Sequence, residues 1–165
     1  MDLLIPLISI LGSGVVSAFV AQKLINSRTE KDFKRKKLEE LFLAIDKFCV
    51  SLSMAHFAWT RVAKGELTYN EALDLIINLD KKEYSGVFQT AQMLTILYFP
   101  EMLPAFKKIL DIRARLTALQ FEFKTIYKEI GPIPEFANKF SIELIAVEQA
   151  SEQFKNGLAE IAKNI

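Results

Sequence analysis

His56, Cys49 and Trp59 are the chain's single histidine, cysteine and tryptophan, and they fall close together. A cysteine–histidine nucleophile needs the thiol and imidazole within hydrogen-bond reach. Seven residues apart on one helix, the two groups are about two turns and roughly 10 Å apart. Packing in or beside a core accounts for them better than catalysis. Helical proteins also build di-iron centres from Glu-x-x-His pairs, but Ser53 stands three residues before His56. The carboxylates Glu39, Glu40, Asp46, Glu122, Glu129, Glu143, Glu148 and Glu152 fall beside apolar stripes, where solvated flanks belong. Gly12-Ser13-Gly14 lacks the Lys-Ser/Thr ending of a phosphate loop and sits inside an apolar run. Arg113 and Arg115 read as exposed ion-pairing neighbours of Asp111 and Glu122. No catalytic set, metal-ligand set or cofactor motif assembles, and the expectation is a non-enzymatic chain without cofactor or metal.

The residue types that do form a pattern lie at the N-terminus. Positions 3–21 carry no ionisable side chain. At about 1.5 Å per residue a helix of that length covers roughly 28 Å, close to the hydrocarbon thickness of a bilayer. A cleaved signal peptide would place basic residues before the run; here Asp2 precedes it and the basic residues follow. A buried core helix is the third alternative. A single-pass anchor fits best. Within it Ser9, Ser13, Ser17 and Ala21 recur every four residues, and Gly14 with Ala18 forms a parallel row. Small side chains in register make a groove through which membrane helices approach and dock, so these six residues are the expected membrane packing surface.

Lys23, Arg28, Lys31, Lys34, Arg35, Lys36 and Lys37 come next, against Glu30 and Asp32, a net charge of +5 over 23–37. From Leu38 onward 14 basic residues face 17 acidic ones, a net −3. Basic residues stay on the cytoplasmic side, which predicts an N-terminus outside and the rest of the chain in the cytoplasm, at the inner (plasma) membrane. The seven basic side chains are expected to contact anionic lipid headgroups. Nucleic acid is a poor match, because the patch is short and lacks interleaved aromatic residues.

These segments need elements to hold them. The layout divides as an anchor over 1–22, a basic juxtamembrane segment over 23–37 and one domain over 38–165. A single cysteine fits a reducing compartment. Leu38, Leu41, Ile45, Phe48, Leu52, Ala55, Trp59 and Val62 alternate steps of three and four, and Phe42, Cys49, His56 and Ala63 widen that stripe. This is the heptad of a helix packed lengthwise on others. Ser27 with Glu30 and Thr29 with Asp32 suit a helix start, and Gly65 suits its end. Thr68 with Glu71 opens a short helix to about Leu79. Asp80 with Glu83 opens a segment to about Tyr98, with Val87, Met93, Leu94 and Leu97 on its apolar face.

Pro100 and Pro104 precede a second heptad from Phe106 to Ile130, and Gly131, Pro132 and Pro134 separate it from a last helix over about 135–163. The predicted fold class is all-α: one transmembrane helix followed by an antiparallel bundle of four to five helices, its thirteen phenylalanines filling the seams. The layout resembles many small bacterial membrane proteins, including accessory and effector components of toxin and phage-defence systems, in architecture alone. The function expected is a membrane-tethered helical module that binds or regulates a protein partner. The alternative is a membrane-active effector of such a system that homo-oligomerises through its transmembrane helix.

Overall fold

The computed structural model describes the backbone of residues 4–79 and 84–165 and the side chains of residues 22, 28–78 and 84–165. Among these residues all regular structure is helical and none is strand. The order is α1 (Leu4–Ala63), α2 (Tyr69–Leu79), α3 (Val87–Tyr98), a 3₁₀ turn (Pro100–Met102), α4 (Leu103–Ile130) and α5 (Pro134–Lys163). Two compact units divide the chain, one ending at Lys36 and the other spanning Lys37–Asn164.

α1 runs unbroken for 60 residues. The expected restart at residues 27–30 does not occur. Inside a continuous helix the backbone amides already have carbonyl partners four residues back, so nothing remains for a capping side chain to satisfy. Among the described residues one helix near the N-terminus is long and apolar enough to cross a membrane by length and composition, over Arg28–Ala63, yet 44% of its most apolar 18-residue window is buried inside the protein. Its core residues Leu41, Ile45, Trp59 and Val62 are almost fully enclosed. The run Leu3–Ala21, where the anchor is expected, is helical in backbone from Leu4, and its side chains lie outside the described residues.

Local chemistry sets the ends of the elements in the Lys37–Asn164 unit. Gly65 adopts φ 75°, its N–H donates to the Val62 carbonyl at 3.0 Å, and that of Glu66 donates to Arg61 at 2.9 Å. That double bond is the Schellman ending, which a residue with a Cβ resists. α2 opens on a reciprocal box: the Thr68 N–H donates to Glu71 Oε2 at 2.8 Å, and the Glu71 N–H donates to Thr68 Oγ1 at 3.3 Å. The segment 69–98 is therefore not one helix; the Asp80–Glu83 pair lies outside the described residues, and α3 begins after Gly86 at φ 78°. Gly131, at φ 79°, ends α4.

Tertiary pairings run in opposite directions along neighbouring helices. Between α4 and α5, Phe106 meets Phe154, Arg115 meets Glu143, and Phe123 meets Phe136 and Phe140. Between α1 and α5, Asp46 pairs with Lys155 and His56 lies against Phe140. Rising numbers on one helix thus meet falling numbers on the other.

Three sequence readings are corrected. Met93 and Leu97 face outward on α3, Leu97 being 64% exposed, while Ala91, Leu94 and Thr95 are buried. Gly86 fixes the start of this helix and with it the face turned inward. The buried Thr95 hydroxyl is tolerated because it donates to the Ala91 carbonyl at 2.8 Å. Phe42 and Ile130, placed on the heptad stripes, are exposed. Arg115 does not pair along its own helix but makes a bidentate bridge to Glu143 on α5, while Arg113 covers the Phe88 ring at 4.6 Å.

Phe123 is fully enclosed and touches the rings of Tyr127, Phe136 and Phe140. Phe123→Ala should lower unfolding stability by about 3–5 kcal/mol, whereas exposed Phe121→Ala should change it by less than about 0.5 kcal/mol. Urea titration followed by circular dichroism compares the two.

Candidate functional site

A concavity lies between α1 and α5, a groove of about 600 Å³ whose walls come from residues 46–57 and 144–155. That size is in the range of small-ligand sites. Its apolar lining is Val50, Met54, Phe57, Leu144 and Ile145. Its charged lining is Asp46, Glu148, Glu152 and Lys155. The chain builds this surface by giving α1 a second apolar stripe. Leu43, Val50, Met54 and Phe57 are spaced seven, four and three residues apart, about half a turn round the helix from Leu41 and Ile45. All four are exposed, and Ile145 beside them on α5 is 55% exposed.

At the floor sit Cys49 and Ser151, both buried. Burial pushes the Cys49 thiol above its usual range, and the Ser151 hydroxyl bonded to its sulfur pulls weakly the other way. A thiol in that setting stays protonated and is a poor nucleophile. Lys155 donates to Asp46 Oδ1 at 2.6 Å, and its ammonium also lies 5.7 Å from the Phe42 ring. Cys49, Ser151 and Lys155 are thus brought to one groove, the thiol buried and the lysine paired with Asp46.

His56 is a separate feature. Its Nδ1 donates to the Leu52 carbonyl at 2.8 Å, which leaves Nε2 as the bare nitrogen of a neutral ring. Nε2 is buried with no hydrogen-bond partner among the described residues. Burial lowers the affinity of the ring for a proton, and the carbonyl bond only partly offsets it. Cys49 and His56 share α1 but no hydrogen bond joins them, as the two-turn separation implies. Among the described residues no group of three or more His, Cys, Asp or Glu is arranged to hold a metal ion.

The residues singled out from sequence divide differently. Ser9, Ser13, Gly14, Ser17, Ala18, Ala21 and Lys23 belong to the α1 backbone, and their side chains lie outside the described residues. Arg28, Lys31, Lys34, Arg35 and Lys36 are exposed. Lys37 belongs to the second unit: its ammonium donates to Glu40 at 2.6 Å and lies 5.9 Å from the Tyr98 ring centre. Sequence reasoning did not identify the groove. Its signal was present in the second stripe of α1, which the stronger core stripe on the same helix overshadows. No protein-family model, curated protein or solved structure matches this chain.

A proton on His56 would be a buried charge without a partner, so the unfolded chain, with the ordinary value of 6.5, takes it up first. The sign follows: this contribution to stability is complete above about 6.5 and is lost as the pH falls towards the lower folded-state value. Unfolding free energy measured from about pH 7.5 to about pH 5.5 should fall more steeply for the native chain than for His56→Leu.

Proposed function

We propose that this chain is a non-enzymatic, membrane-tethered antiparallel helical bundle that binds or regulates a protein partner at the inner membrane surface. Residues 3–21 anchor it as a single span with the N-terminus outside, and the basic residues that follow keep the bundle cytoplasmic and lie against anionic headgroups. The observation that carries the reading is the α1–α5 groove. Val50, Met54, Phe57 and Ile145 are exposed there, beside a core already filled by aromatic rings. A contiguous apolar surface of this kind marks an interaction site. Tethering raises the effective concentration of a partner on the same membrane, so weak contacts suffice.

The chain should stay in the membrane pellet after carbonate extraction. In mild detergent it should co-purify with a protein partner, and Phe57→Asp should release that partner while leaving the chain folded. A chain that runs alone as a monomer from native membranes, or a partner retained by Phe57→Asp, argues against the assignment.

A further inference from the structure

The α1–α5 groove combines apolar and charged lining, and that combination defines what fits it. Its α1 wall offers apolar side chains at heptad spacing, the repeat that accepts knobs from another helix and not from a strand or an extended peptide. Met54 adds a flexible thioether that adapts to the shape of an inserted side chain. Ile145 and Leu144 supply the facing wall on α5, so a third helix laid between the two antiparallel helices would complete a standard helix–helix packing.

Charge distinguishes one helix from another. Three carboxylates line the groove, Asp46, Glu148 and Glu152, against the single ammonium of Lys155. Asp46 and Lys155 neutralise each other at 2.6 Å. Glu148 and Glu152 lie four residues apart on α5, both exposed, and neither makes an ion pair among the described residues. Like charges at that spacing repel along a helix unless a cation comes between them. The apolar lining therefore provides the affinity, and Glu148 and Glu152 beside it are open to positive charge.

We propose that the α1–α5 groove receives a helix of the partner protein that bears an apolar stripe at heptad spacing and lysine or arginine residues beside Glu148 and Glu152. This rests on the partner-binding function above and states the chemistry of the element recognised. Rim charges of this kind set specificity and association rate more than total affinity, so the test compares helices that differ only in charge.

The full chain in phosphatidylcholine nanodiscs is titrated against two labelled helical peptides of about eighteen residues, with leucine at a and d and either lysine or glutamate at e and g. Fluorescence anisotropy should show at least about tenfold tighter binding of the lysine peptide at low salt. Glu148→Lys with Glu152→Lys should reverse the order. Phe57→Asp with Ile145→Asp should abolish binding of both peptides while helicity is unchanged. The proposal is overturned if neither peptide binds, if the two bind equally, or if the preference survives the double lysine variant. It is also overturned if mass photometry shows a dimer of this chain that Phe57→Asp disrupts, since a second copy would then be the occupant. A native partner that co-purifies through Phe57 while the peptides go undiscriminated would refute the basic helix alone and leave the partner-binding function standing.

Discussion

Two chains of aromatic rings hold the Lys37–Asn164 unit together, and its other features depend on them. At one end Trp59 of α1 meets Tyr69 of α2, which meets Tyr127 of α4. Phe123 then links Tyr127 to Phe136 and Phe140 of α5, and Phe140 returns to His56 of α1. At the other end Phe48, Phe88, Phe106 and Phe154 connect α1, α3, α4 and α5 in sequence. Tilted and edge-on rings at these separations add attraction beyond simple burial. Rings are also large enough for a few of them to bridge four helices, so a short unit completes its core without a sheet or a disulfide.

Completing the core this way gives α1 a double duty. Its inner stripe is consumed by the rings, and its outer stripe is left to the groove. A helix apolar on two sides reads, by composition, much like a membrane span. That is why Arg28–Ala63 satisfies the length and hydropathy of a transmembrane helix while 44% of its most apolar 18-residue window is buried in protein. The run at residues 3–21 differs in kind, since it has no charged side chain on any face.

Much of the fold was legible because it rests on short-range rules. Thr68 and Glu71 satisfy each other's backbone amides, and Gly65 and Gly131 take up positive φ, interactions that need no knowledge of distant residues. The heptad of α4 was legible for a related reason: one buried stripe on a helix leaves a simple period. The failures arose where two demands met on one element. α3 is apolar around most of its circumference, so periodicity could not decide that Leu94 goes in and Leu97 stays out. Ser27 and Glu30 have capping chemistry, yet propagation of an established helix overrides a cap. The groove was hidden because Met54 and Phe57 appear to be surplus until the core stripe has been assigned. Arg115 was expected to pair within its own helix, and only the antiparallel approach of α5 brought Glu143 to it.

The buried thiol gives the groove a built-in reporter. Cys49 is the chain's only cysteine and lies on the groove floor beside Ser151, beneath the exposed side chains of Val50 and Met54. A reagent that modifies sulfur must enter through that opening and meet a group held in its protonated form. The rate of alkylation therefore measures how often the walls part, with no label to perturb them. A helix seated in the groove would close that route, turning the least reactive residue in the site into a clock for its occupancy.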